Sequence, residues 1–168
     1  MTTISAIRGR CQQTTRRLHA LGWLPNLVLR VSIGFMFASG AVGKLADLAA
    51  FTRLFEQLGV PQASWAAPVV ALIELVGGLG LMAGAATRLS ALALAAIMIG
   101  ATLTAVAPPL HDKYPTTWDF LSNLFYSPEW LLACLLAWLV CAGAGKASVD
   151  ALVSRRIATS QHTGHRSP

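Results

Sequence analysis

The sequence predicts an all-α fold: an integral membrane, four-helix antiparallel bundle with a short interfacial helix between spans 1 and 2. Composition is the first observation. Of 168 residues, 55% are hydrophobic and 12% charged, whereas charged residues make up about a quarter of a soluble domain. Patterning is the second. Four apolar runs approach the roughly 20 residues that a helix needs to cross a bilayer, and short polar stretches separate most of them. The third is residues 66–88, AAPVVALIELVGGLGLMAGAATR. This run carries Glu74 well inside it, followed by Gly77, Gly78, Gly80 and Gly84. A carboxylate at membrane depth is costly and faces protein or water rather than lipid. Clustered glycines weaken a helix in water. In lipid they let a neighbour come close, and Gly80-x-x-x-Gly84 has the small-xxx-small spacing. The run therefore reads as a tightly packed span holding one acid that needs a partner.

Taken in order, residues 1–23 form a basic tail containing Arg8, Arg10, Arg16 and Arg17. The tail is read as solvated or as lying on anionic lipid. No cleavable signal is evident, because the apolar run arrives late and continues past Ala38-Ser39-Gly40 to Val42. Span 1 covers about 24–43. Pro25 suits its first turn, Arg30 lies one to two turns inside and can snorkel, and Lys44 closes the far end. Residues 47–59 place Leu48, Phe51, Leu54, Phe55 and Leu58 at helical spacing between Asp47, Arg53, Glu56 and Gln57. That is an amphipathic helix too short to cross, ended by Gly59 and Pro61. Span 2 is the 66–88 run. A turn at 86–88 leads to span 3, about 89–107, where Thr102 and Thr104 can bond back to their own helix. Pro108-Pro109 is expected to stop it. Residues 110–127 are read as a long connection. Span 4 opens on Ser127 as N-cap, Pro128 in the first turn and Glu129 behind it, and runs to about Gly143.

The formal charge of +6 sits near the ends of the apolar runs. It is therefore read as topology and headgroup attraction rather than nucleic-acid binding. Eight Lys and Arg residues flank one side of the spans and three the other, so both termini are expected in the cytoplasm. The expected organisation is a basic tail (1–23), a four-span membrane domain (24–145) and a second basic tail (146–168). Of the cysteines Cys11, Cys134 and Cys141, none forms a C-x-x-C. Cys134 and Cys141 would stand about 10 Å apart along a helix, too far for a disulfide. His111, Asp112 and Asp119 fit no metal-ligand spacing, so no metal is expected. Trp65, Trp118, Tyr126 and Trp130 read as an interfacial aromatic belt.

Two pairs of charges share a spacing. Arg30 and Lys44, and Glu74 and Arg88, are each fourteen residues apart, close to four helical turns. With spans 1 and 2 antiparallel, Lys44 approaches Glu74 and Arg30 approaches Arg88. Lys44 and Glu74 are candidates for a buried ion pair or for proton handling. For Arg30 and Arg88 three readings stand. They reach lipid phosphates, or hold an anion or a carbonyl-bearing ligand such as a quinone headgroup, or pair with Asp150 or a helix C-terminus.

These residues, in order, resemble the DoxX family of small bacterial membrane proteins. The matching pieces are Arg30 with Gly40-Ala41-Val42-Gly43-Lys44, then Phe55 with Leu58-Gly59-Val60-Pro61. Ile73-Glu74-Leu75-Val76-Gly77-Gly78, Ala86-Thr87-Arg88-Leu89 and Gly143-Ala144-Gly145-Lys146-Ala147-Ser148-Val149-Asp150 complete them. The resemblance covers about 26–150. Gly143-Ala144-Gly145 departs from the family's usual Gly-Pro-Gly. The resemblance implies a multi-pass protein of the bacterial inner membrane, with relatives that include the membrane subunit of a thiosulfate:quinone oxidoreductase. It maps the family's recurring charges onto Arg30, Lys44, Glu74 and Arg88. The expected function is an accessory subunit of a quinone-linked redox or oxidative and thiol-stress system, not a complete enzyme alone. No cofactor is required by the sequence, and quinone is the compatible one. The expected partners are the lipid bilayer and an oxidoreductase subunit, and the small-residue faces leave a homodimer open. The alternative is a non-enzymatic scaffold or small-solute permeation protein.

Overall fold

A computed structural model describes residues 23–145 and 147–152. The expectations for the two basic tails fall almost wholly outside the described residues. Among the described residues there are seven α-helices and one π-helical turn. The α-helices are α1 (Trp23–Ala46), α2 (Leu48–Gln57), α3 (Ala63–Ala83), α4 (Thr87–Ala101), α5 (Ala107–Lys113), α6 (Thr117–Phe125) and α7 (Pro128–Ala142). Their ends follow local chemistry. Asp47 caps α2 by accepting from the Ala50 N–H at 3.0 Å. Ser127 caps α7 by accepting from the Trp130 N–H at 3.3 Å, with Pro128 at the first position, where its missing N–H has no helical partner to lose.

Two expectations about helix ends are corrected. Pro108-Pro109 does not stop the third long helix. Instead α4 passes through a π-helical turn, Thr102–Val106, into α5, where the prolines sit in the first turn. The wider turn re-registers the backbone, so the absent proline N–H groups fall at positions that need no bond. As expected, Thr102 and Thr104 hydroxyls donate back to Met98 O and Gly100 O, at 2.8 and 2.9 Å. The second correction concerns the turn after α3. It lies at Gly84 and Ala86, both left-handed at φ 69° and 47°, and α4 already begins at Thr87. Glu74 and Arg88 therefore stand on different helices, and their fourteen-residue spacing does not place them on one face.

Helix α3 is the middle of the structure. On one side Gly78 meets α1: a Cβ built on Gly34 would lie 2.5 Å from Gly78 O, and one on Gly78 would lie 2.6 Å from Gly34 O. The two backbones are in reciprocal contact, as small residues permit in lipid. On the other side Gly77 faces α4, where a Cβ would meet Leu94 at 3.1 Å. Ile33, Phe37, Leu81, Leu94, Met98, Leu136 and Leu139 then join α1, α3, α4 and α7 in one apolar core. Helix α2 folds back on α3 by setting Phe51 against Ala67 and Ala71.

The outside is apolar as well. Val28, Phe35, Val42, Val76, Leu89 and Leu103 are all more than half exposed. A surface of this kind suits hydrocarbon rather than water. Three continuous helices, Trp23–Ala46, Ala63–Ala83 and Thr87–Lys113, are long and apolar enough to cross a membrane. A fourth crossing arises if α6 and α7, bent by 62°, count as one. By itself α7 has 15 residues, about 22 Å, against a hydrocarbon core of about 30 Å.

Candidate functional site

Helices α1 and α3 run antiparallel and carry a polar centre at each end. At the first, the Lys44 ammonium donates to Glu74 Oε2 and forms an ion pair with it. Glu74 is 2% exposed and Lys44 34%. A long flexible cation thus links a buried carboxylate to the outside. The Lys44 Nζ also stands 5.0 Å from the centre of the Phe51 ring, within cation–π range.

The second centre is built around Arg30, which is 1% exposed. Its Nη1 donates to Ala144 O and its Nη2 to Ala147 O, the latter at 2.6 Å. One turn earlier, Asn26 Nδ2 donates to Gly143 O at 3.2 Å. The backbone leaving α7 is thus tied to the first helix. It is also tied to the α3–α4 turn. The Asp150 N–H donates to Gly84 O at 3.0 Å, and the Asp150 carboxylate accepts from the N–H groups of Ala86 and Thr87 at 2.8 and 3.1 Å. An acid at a helix N-terminus meets unpaired N–H groups and the favourable end of the dipole, and this acid arrives from more than sixty residues away. Gly84 supplies the room, since a Cβ there would lie 2.8 Å from Arg30 Cζ and 2.6 Å from Ser148 Cβ.

Of the four charged residues expected to matter, Lys44 and Glu74 are brought into contact. Arg30 and Arg88 both reach the exit segment, in different states. The two Nη groups of Arg30 are engaged by carbonyls. Arg88 is exposed and extends beside Gly143, its Nε 3.3 Å from where a Cβ would stand. Among the described residues Arg88 has no carboxylate partner. It borders an open depression of about 440 Å³ lined by small residues such as Ala86, Ala142, Gly143 and Gly145, and also by Leu89 and Asp150. Asn26 was the residue not anticipated. An amide in the first turn of an apolar helix, next to Pro25, was the available signal.

Burial would raise the Asp150 carboxyl, but the Thr87 and Ala86 N–H groups and the Arg30 charge outweigh it and hold the group below its ordinary 3.8. A carboxyl with a depressed folded-state pKa contributes stability above its unfolded pKa and loses it as pH falls through the folded one. Thermal unfolding followed from pH 6 to pH 3 should therefore show a drop below about pH 4 that Asp150→Asn lacks. At pH 6 the variant should already be less stable by about 1 kcal/mol, the usual magnitude of a helix cap. A parallel pH profile in both proteins would remove Asp150 from this role.

Among the described residues no three His, Cys, Asp or Glu side chains group to hold a metal ion. His111 packs edge-on against Phe120 at 5.9 Å. Cys134 and Cys141 are exposed and unpaired.

Helices with an apolar exterior, closely packed glycines and two buried charge centres define a multi-pass integral membrane protein. The DoxX family model matches residues 26–107. The chain is 30% identical to "Inner membrane protein YqjF" of Escherichia coli (strain K12) over 133 residues, 77% of this chain and 92% of that protein. It is 29% identical to "Uncharacterized membrane protein Rv3486" of Mycobacterium tuberculosis (strain ATCC 25618 / H37Rv) over 84% of this chain and 88% of that protein. It is 36% identical to "Putative oxidoreductase CatD" of Bacillus subtilis (strain 168) over 47% of this chain and 58% of that protein. No solved structure matches. The chain belongs to the DoxX family.

Proposed function

We propose that this protein is an accessory subunit of a quinone-linked redox or thiol-stress system, resident in the inner membrane with both termini in the cytoplasm. The observation that carries the reading is Arg88, an exposed cation with no carboxylate ion-pair partner among the described residues, beside an open depression at the end of apolar helices. A quinone headgroup is planar and presents carbonyl oxygens, and guanidinium N–H groups are well-directed donors to such acceptors. The small side chains around Arg88 leave room for a ring. When bound, the quinone would supply two-electron carrier chemistry. Arg88 would orient it, and Arg30 would shape the wall behind it by holding the exit segment. At the other end the Lys44–Glu74 pair would lock α1 to α3 or pass a proton, since Glu74 is buried and its partner reaches outward. The name of the CatD relative gives a faint redox hint in the same direction. Electrons would come from an associated oxidoreductase subunit.

The test is a titration of the detergent-solubilised full chain with a short-chain benzoquinone, wild type beside Arg88→Ala. Saturable binding weakened about tenfold or more in Arg88→Ala, with an unchanged melting temperature, is the expected result. One charged hydrogen bond is worth about that factor. A well-folded wild type that binds no quinone would leave the charges as architecture and favour the scaffold reading. The engaged state of Arg30 already leans toward that second reading at its own position.

A further inference from the structure

Helix α6 has an apolar face that the described residues leave half uncovered. None of its residues is buried. Phe120 and Leu124 are half-buried, and Phe120 takes the edge of the His111 ring at 5.9 Å between centres. Trp118, Leu121 and Phe125 are exposed, Trp118 at 82%. Spaced three and four residues apart, these three share one side of the helix, and Asp119 lies on the opposite side. The start of the helix is fixed locally. Thr116 Oγ1 accepts from the Asp119 N–H at 3.3 Å and donates to the Asp119 carboxylate at 2.6 Å. A helix this short owes most of its stability to what its apolar face packs on.

The surroundings of α6 say what that is. It sits at the end of the bundle away from Arg30, because α7 runs from its junction with α6 to the Gly143 carbonyl that Asn26 bonds. On both sides of it the chain presents apolar residues outward: Leu103 before it and Leu131 after it are more than half exposed. Tyr126 at the α6–α7 junction and Trp65 at the start of α3, at the same end, are exposed as well. With Trp118 they are the residue types that settle at the headgroup level of a membrane. Length agrees. Alone, α7 falls about 8 Å short of the hydrocarbon thickness. Helix α6 turns from it by 62°, so its nine residues advance about 6 Å along the α7 axis and about 12 Å sideways. The shortfall is thus nearly closed by a helix lying oblique to α7, at the depth of about 5–10 Å where interfacial helices ride.

We propose that α6 is an interfacial helix that docks its Trp118–Leu121–Phe125 side on lipid at the end of the bundle away from Arg30, leaving α7 as the fourth crossing. Residues 107–130 carry Asp112, Asp119 and Glu129 against Lys113. They hold no surplus of positive charge to select anionic headgroups. The partner is therefore the glycerol and upper acyl region of the bilayer, whatever the charge of its headgroups. The docking is independent of what the Arg88 depression holds.

The experiment places an environment-sensitive fluorophore on a single cysteine of the full chain in phosphatidylcholine vesicles, with Cys11, Cys134 and Cys141 changed to alanine. Leu121→Cys carries it on the exposed apolar side and Asp119→Cys on the opposite one. The label at 121 is expected to emit at shorter wavelength than the label at 119 and to resist aqueous iodide several-fold better. A lipid spin label near the headgroup should quench it more than one near the chain end, and added phosphatidylglycerol should change none of this. Equal access of iodide to both labels would overturn the docking. Stronger quenching by the chain-end spin label would also overturn it, since α6 would then belong to a continuous crossing. A label at 121 shielded from iodide and untouched by either spin label would show a protein cover, such as a second copy, and overturn the choice of lipid. Shielding that needs phosphatidylglycerol would overturn the indifference to headgroup charge. If the alanine background does not fold, Trp118→Phe in the chain with its native cysteines decides the matter. The tryptophan emission that it removes should be the part quenched by phosphatidylcholine brominated near the headgroup, and loss of an iodide-quenched part instead would overturn the proposal.

Discussion

Gly34→Ala is expected to lower the thermal stability of the detergent-solubilised protein sharply, by about 2–3 kcal/mol or more, because the added methyl has nowhere to go. Its Cβ would stand 2.5 Å from Gly78 O and 2.9 Å from Met82 N. Two of the nearest obstacles are backbone atoms, so rotamer changes alone give no relief and the helices must move apart. Overpacking of this kind typically costs 1–3 kcal/mol. Here the displacement would also loosen the register that seats Lys44 on Glu74. Gly40→Ala is the matched control. Gly40 lies on the same helix, but nothing approaches its Cβ position within 4 Å. There alanine should be neutral or stabilising by about 0.5–1 kcal/mol, through reduced backbone freedom in the unfolded chain. Equal melting temperatures for the two variants would mean that α1 and α3 do not meet through Gly34 and Gly78.

The second large effect belongs to Lys44. Lys44→Met keeps the length of the side chain and deletes its charge, stranding Glu74 at 2% exposure. Removing one partner of a buried pair costs about 3–5 kcal/mol. Lys44 retains some contact with the outside, so about 2–4 kcal/mol is the better expectation here. The double variant Lys44→Met with Glu74→Leu should regain most of the loss, since an apolar pair of similar volume need not be less stable than the ion pair it replaces. A single variant that melts with the wild type would show that the pair contributes nothing to stability. In that case the functional role of Glu74 would gain weight.

Much of this was legible from residue types. The start of α7 followed from Ser127, Pro128 and Glu129, because capping is local and each residue has a specific bond to make. The amphipathic 48–58 pattern gave α2 for the same reason. The approach of Lys44 to Glu74 followed from two antiparallel helices and a shared need for a partner. What failed to read were features whose cause is distant in sequence. Gly80-x-x-x-Gly84 suggested a helix–helix contact, and Gly80 makes one with α4, where a Cβ would lie 2.6 Å from Ser90 Oγ; the contact with α1 falls instead to Gly34 and Gly78, while Gly84 ends its helix. A glycine suits either role, and only the tertiary partner decides. Pro108-Pro109 suggested a stop, which the π turn before it removed. The engagement of Arg30 depended on carbonyls more than a hundred residues later. Carbonyls have no signature in a sequence, although Asp150 and a helix C-terminus were among the readings open for that cation.

That long separation has a consequence for the order of events during synthesis. Arg30 and the carbonyl of Ala144 are 114 residues apart. The first long helix is therefore made and delivered to the bilayer well before the groups that satisfy its arginine exist. At chain growth of about 5–20 residues per second, the interval is of the order of ten seconds. Through that time the guanidinium must stay near water or headgroups, which its position one to two turns inside α1 allows by snorkelling. Completion of residues 143–150 lets it settle. A ribosome arrested before Gly143 would hold a nascent chain whose first helix is still unfinished business for the membrane.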